Sequence, residues 1–288
     1  MFKTTSAKTE FLKANGETYA YRRIGSGNAR PLICLQHFTG TLDNWDPAVI
    51  DPLAVGREVL LLDNAGIGRS SGKVPDTMAG MAKHVLAFLD GLGIDNCDVL
   101  GFSLGGAIAQ VIAQERPWIV RRMILAGTAP RGGEDVMHLE KPELAKHLAD
   151  PNLRGYTVLQ KLFFTPSTAS QAAGEAFVGR IMQRNEDLDP PSKPEVAQAQ
   201  MAAFREWDRY TGERFADLRT LRQPTLVVNG RFDAMVAVRN SYWLAENLPN
   251  AVLLTYPDAG HGSLFQYPGS FTRHASAFLA SDSDLAAY

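Results

Sequence analysis

The chain has 288 residues, a net charge of −2, 45% hydrophobic residues and 21% charged residues. This composition fits one large α/β domain. It excludes a basic nucleic-acid binder, a disordered acidic chain and a disulfide scaffold, because the two cysteines, Cys34 and Cys97, each sit in an apolar strand-like run. No apolar run has the length of a membrane span, and Met1-Phe2-Lys3-Thr4-Thr5-Ser6 lacks the core of a signal peptide. A cytoplasmic protein with no membrane and no nucleic-acid partner is expected; the sequence assigns no oligomeric state.

In chain order, residues 9–24 predict a hairpin that turns at Asn15-Gly16. Pro31-Leu32-Ile33-Cys34-Leu35-Gln36 predicts a buried strand, which ends in the turn Gln36-His37-Phe38-Thr39-Gly40. A second buried strand is expected over 58–63, followed by the glycine-rich loop 64–70. That loop lacks the Lys-Ser/Thr ending of a phosphate loop. Asp76-Thr77 caps a helix to about Leu92, with Met78, Met81, Val85, Phe88 and Leu89 on one face. Strands are expected at 97–100 and 122–127. Between them a helix leaves Gly105 and stops near Pro117. This alternation predicts a mostly parallel, doubly wound sheet.

The rhythm breaks after Pro130. Residues 131–220 read as helices at about 137–149, 153–164, 170–186 and 194–210, with prolines between them. Strands return at 225–230 and 251–256, and a last helix is expected from about Pro268 to Leu279. The expected organisation is a core of 1–130 and 221–288, interrupted after the sixth strand by a helical cap at 131–220.

The chemistry centres on Gly101-Phe102-Ser103-Leu104-Gly105, which joins a strand to a helix. Gly-x-Ser-x-Gly in this setting is the nucleophile-elbow pattern. A strand that turns at once into a helix holds its middle residue in strained geometry. Glycines at 101 and 105 leave room for the crowded backbone, and the Ser103 hydroxyl is expected to stand exposed at the tip. The Leu104 N–H, at the helix start, would face a developing oxyanion.

A serine nucleophile needs a base. Of six histidines, His261 lies in Asp258-Ala259-Gly260-His261-Gly262, directly after a strand and on the sheet edge that carries Ser103. His84 reads as a solvated surface residue. His138, His147 and His274 read as structural or exposed. Asp233, after the 225–230 strand, is the preferred acid to orient His261, and Asp258 competes by proximity.

With these residues in view, the chain resembles the α/β-hydrolases in the order Ser103, Asp233, His261. Asp63-Asn64-Ala65-Gly66-Ile67-Gly68-Arg69-Ser70 is similar to that family's Asp-x-x-Gly-x-Gly-x-Ser loop. The resemblance covers nearly the whole chain and places the cap at 131–220. It implies a second oxyanion donor at the backbone of Phe38, with His37 where glycine is usual. It implies a serine hydrolase acting on an ester-like bond of a small, apolar substrate, with no cofactor. No cluster has metal-ligand spacing. Perhydrolases, carbon–carbon bond hydrolases, lactonases and non-catalytic small-molecule receptors share the pattern. His37, Phe163, Phe164 and Trp207 are candidate pocket residues, and Phe204 and Tyr210 are expected beside them in an apolar roof.

Overall fold

The computed structural model describes residues 3–281. Eight strands form one sheet in the order β1-β2-β4-β3-β5-β6-β7-β8. The hairpin β1 (Glu10–Ala14) and β2 (Glu17–Gly25) turns at Asn15 and Gly16, both at positive φ as a type I′ turn requires. β2 pairs antiparallel with β4 (Arg57–Leu62), and every later pairing is parallel. The central strands β3 (Ala29–Leu35), β5 (Cys97–Phe102), β6 (Val120–Ala126) and β7 (Thr225–Gly230) are covered on both faces, which explains their unbroken apolar runs. β8 (Ala251–Tyr256) closes one edge.

Helices flank the sheet. α1 (Pro47–Leu53) is capped by the Asp46 carboxylate and has proline at its first position. α2 (Met78–Gly91) buries Met78, Met81, Val85, Phe88 and Leu89 as its periodicity predicts, and the Thr77 hydroxyl caps it. α3 (Leu104–Glu115) runs from the elbow.

Residues 131–220 hold no strand, four α-helices and a short 3-10 turn at Leu218–Thr220; the α-helices are α4 (Pro142–Leu148), α5 (Tyr156–Phe163), α6 (Thr168–Ile181) and α7 (Pro194–Trp207). The first was expected at 137 and starts at 142. Residues 135–137 instead run back to the loop after β7, where the Met137 N–H donates to the Met235 carbonyl and Val136 bridges Val236. The third was expected to reach 186 and stops at 181, because Arg184 beyond it turns inward to the Thr4 and Ala7 carbonyls. After β7 come α8 (Arg239–Asn247), then β8, α9 (Ser263–Gln266) and α10 (Pro268–Ala280).

Charged groups tie the helical segment to the sheet side. Arg180 pairs with Asp46 at 2.6 Å, Arg69 with Asp187 at 2.5 Å and Arg184 with Asp43 at 3.4 Å. Fully buried Arg22 pairs with Asp43 at 2.6 Å. Asp189 is the poorly served member. Among the described residues its carboxylate oxygens accept no hydrogen bond, and Arg22 and Arg69 stand off at 3.8 Å. Burial, with Asp43 nearby, pushes its carboxyl up to about 6.

Candidate active site

Ser103 sits between β5 and α3 at φ 55°, ψ −116°, a region that non-glycine residues rarely occupy. A Cβ at Gly101 would collide with the Gly105 carbonyl, and one at Gly105 with the Leu35 carbonyl, so only glycine lets these segments meet. The Ser103 N–H is held by the Ala126 carbonyl of the neighbouring strand at 2.8 Å. The turn is therefore fixed from both sides.

Asp233 and His261 come from the loops after β7 and β8. These loops touch at Gly230, where a Cβ would strike the Ala259 and Gly260 carbonyls. The His261 Nδ1–H donates to Asp233 Oδ2 at 2.8 Å, and both side chains are fully buried. Asp233 Oδ1 accepts from the N–H groups of Met235 (2.8 Å) and Val236 (2.9 Å). The carboxylate can only accept here, so it fixes the proton on Nδ1 and leaves the Nε2 lone pair free. His261 Nε2 and Ser103 Oγ are both buried without a hydrogen-bond partner among the described residues. The Phe102 ring, next to Ser103 in the chain, lies 5.0 Å from the His261 ring.

The competing acid is engaged elsewhere. Asp258 accepts from Thr165 Oγ1 (2.9 Å) and Ser167 Oγ (2.7 Å), so it anchors the start of α6. His84 is half-buried and shares a 2.7 Å hydrogen bond with the Tyr19 hydroxyl, which corrects the solvated reading. His138 pairs with exposed Glu140, and His274 caps its own helix turn at the Ser270 carbonyl. Burial pushes the thiols of Cys34 and Cys97 up, Cys97 to about 12, so neither is a thiolate nucleophile.

The Leu104 N–H is the first of α3 and has no intrahelical acceptor. Among the described residues no protein acceptor meets the Phe38 N–H. His37 is buried beside it. Its Nδ1–H donates to the Phe38 carbonyl at 2.8 Å, and its ring packs on Phe102 (5.6 Å) and Phe163 (5.1 Å). Burial, opposed by that hydrogen bond, lowers its pKa to about 4, so the imidazole is neutral and Nε2 is an acceptor.

The site is closed over. Ser103 is 2% exposed and His261 1%, so the hydroxyl expected at an exposed tip is covered instead. The cover is Phe163 at the end of α5, whose ring lies 5.4 Å from His261 and 5.6 Å from Phe102, backed by Phe265 and Phe177. Sequence periodicity cannot tell such a lining residue from one that only packs a helix.

The other expected roof residues separate. Phe204 lies 6.4 Å from Phe38. Phe164 packs on Phe177 and faces an outer cleft of about 620 Å3, with Lys146, His147, Lys161 and Phe232. Trp207 donates its Nε1–H to the Ala129 carbonyl and lies under Arg131, which ties α7 to the end of β6. Tyr210 is 46% exposed and covers Gly132 from outside, so it is no part of a roof. Among the described residues no group of three or more His, Cys, Asp or Glu side chains could hold a metal ion, and no helix is long and apolar enough to cross a membrane.

The sheet order, the elbow and the three loop residues define a hydrolase fold, and the chain belongs to the alpha/beta hydrolase fold family, whose model matches residues 30–268. A solved alpha/beta hydrolase fold protein from Chitinophaga pinensis superposes with a TM-score of 0.90 at 39% identity, over 97% of this chain and all of that one. The 2-hydroxy-6-oxo-6-phenylhexa-2,4-dienoate hydrolase of Burkholderia cepacia is 31% identical over 79% of each chain. A pimeloyl-(acyl-carrier protein) methyl ester esterase from Nitrosomonas europaea is 26% identical over 85% of this chain and 94% of its own. The chain is an enzyme of this hydrolase family.

Proposed function

We propose that the protein is a serine hydrolase that cleaves an ester-like bond of a small, largely apolar molecule through an acyl-enzyme. Ser103 Oγ attacks the carbonyl carbon while His261 Nε2 takes its proton. The N–H groups of Phe38 and Leu104 hold the oxyanion. His261 then returns the proton to the leaving alcohol, activates water against the acyl-enzyme, and finally restores the serine proton. Asp233 keeps His261 in the correct tautomer and stabilises its charged form. The helical segment 131–220 acts as a cap, and Phe163 is its contact with the reacting groups.

The observation that carries this reading is the buried 2.8 Å His261–Asp233 bond, with an unpartnered Nε2 on a ring that packs against Phe102, the residue before Ser103 on its strained elbow. The test is a panel of acyl esters together with a fluorophosphonate probe. Turnover and one adduct at Ser103, both lost in Ser103→Ala, are expected. A wild-type chain that binds the esters and turns over none would make it a receptor.

A further inference from the structure

The turn that carries the Phe38 donor is held from the cap. Thr39 stands at φ 59°, in the left-handed region that a β-branched residue enters at a cost of about 1–3 kcal/mol. Such a conformation persists only where the surroundings impose it. Its two backbone groups are gripped by residues far away in sequence. The Thr39 N–H donates to Gln200 Oε1 of α7 at 2.6 Å, and the Thr39 carbonyl accepts from Ser192 Oγ at 2.7 Å. Gln200 is 3% exposed, and its neighbour Phe204 on α7 packs on the Phe38 ring. The segment before α7 is itself fixed, since the Asp189 N–H donates to Asp43 Oδ2 at 2.6 Å.

On the sheet side, the His37 N–H donates to Gln36 Oε1, the His37 imidazole holds the Phe38 carbonyl, and the Gly40 N–H closes the turn onto the His37 carbonyl. Every backbone donor from His37 to Gly40 is thus occupied except the Phe38 N–H. We propose that Gln200 and Ser192 are positioning residues, which aim the Phe38 N–H at the oxyanion by holding Thr39 in its left-handed conformation. This rests on the hydrolytic reading above. It makes the cap part of the catalytic geometry as well as a cover. A Thr39 released to ordinary φ would swing the Phe38 peptide out of line, and one oxyanion donor is worth about 10²- to 10³-fold in turnover.

The test uses the full chain. Gln200→Leu removes the acceptor at similar volume, Gln200→Glu keeps an acceptor, and Ser192→Ala removes only a half-buried hydroxyl. With a short-chain p-nitrophenyl ester, Gln200→Leu should lower kcat about 10²-fold while KM moves less than about threefold. Gln200→Glu should recover most of kcat, and Ser192→Ala should lose several-fold. An alkyl trifluoromethyl ketone, which forms an oxyanion on Ser103, should lose affinity in step with kcat/KM. The matching secondary alcohol, which carries no oxyanion, should bind as before.

An unchanged kcat in folded Gln200→Leu would overturn the proposal. So would equal losses for ketone and alcohol, which would mean general loosening. Should Gln200→Leu fail to fold, an unchanged kcat in Ser192→Ala overturns it, and a several-fold loss confined to kcat and ketone supports it. A wild-type chain without Ser103-dependent turnover defeats the hydrolytic reading itself and this inference with it, a result visible before any variant is made.

Discussion

The Phe163 carbonyl accepts a 2.9 Å hydrogen bond from the Gly262 N–H, one residue beyond His261. The end of α5 is therefore stapled to the loop that carries the proposed base. A Cβ at Gly262 would press on the Phe163 side chain, so the fit is close as well as bonded.

Phe163→Ala keeps that backbone bond and empties the space above His261. Truncation of a buried phenylalanine costs about 3–5 kcal/mol. A lower melting temperature is expected, together with faster fluorophosphonate labelling of Ser103 and a shift of ester preference toward bulkier acyl groups. Calorimetry and adduct mass spectrometry on one sample read both effects. Slower labelling in a folded variant would mean that Phe163 does not obstruct the serine.

Ser103→Gly should gain stability as it loses activity. The φ 55°, ψ −116° backbone is strained for serine and open to glycine, a difference of about 1 kcal/mol or more and thus roughly 2 °C in Tm. Turnover should fall by about 10⁴-fold or more. A Tm below that of the wild type would show that the serine side chain, not the turn, governs local stability.

The two loop acids should separate cleanly. Asp233→Asn removes the acceptor for the His261 Nδ1–H and should lower kcat by about 10⁴-fold with little change in Tm. Asp258→Asn weakens the hold on Thr165 and Ser167, at about 1–3 kcal/mol of stability, and should leave kcat within several-fold. Kinetics and thermal melts of both variants decide the ranking, and the reverse order would reassign the acid.

Asp189 gives the protein a pH dependence with a definite sign. Its folded pKa of about 6 lies above the ordinary aspartate value, so the folded state holds the proton more tightly than the unfolded state does. This group's contribution to stability is therefore fully present below about pH 4 and is lost as pH rises to about 6. Asp189→Asn lacks that titration. Denaturant melts from pH 4 to 7 should show the variant gaining on the wild type across that window and running parallel to it above. A constant difference would mean that Asp189 is not perturbed.

How far the sequence carried the interpretation differs by element. The hairpin, the parallel strands and α2 were legible because one force sets each of them: turn chemistry at Asn15-Gly16, burial on both faces, and an apolar stripe below a threonine cap. The placement of the candidate residues Ser103, Asp233 and His261 was legible because each follows a strand end, and the structure joins the last two by a hydrogen bond. Other features depend on contacts that no local pattern encodes. α4 begins late because Val136 and Met137 are drawn to the loop after β7. His261 is covered because Phe163 from a distant helix packs on its ring. His84 is half-buried because Tyr19 needs a partner. The grip of Gln200 on Thr39 spans 161 positions, beyond the reach of any window. α1 has a readable local signal in Asp46-Pro47, an N-cap followed by proline.

The direct pairing of β6 with β7 bears on the order in which the molecule is assembled. Met123 faces Thr225 across the sheet, yet everything from 127 to 224 lies between the two strands in the chain. Joining them closes a long loop, and each doubling of loop length adds about 0.6 kcal/mol of entropic cost. Strands β1 to β6, linked by shorter connections, can associate first and carry Ser103 with them. β7 and β8 bring Asp233 and His261 only when that loop closes. The proposed nucleophile would thus be built into the early sheet while its proposed partners arrive last. A chain released before the C-terminal strands dock would hold a structured Ser103 without the histidine proposed to activate it. Pulse-labelled hydrogen exchange should find the amides of β3 and β5 protected before those of β7 and β8.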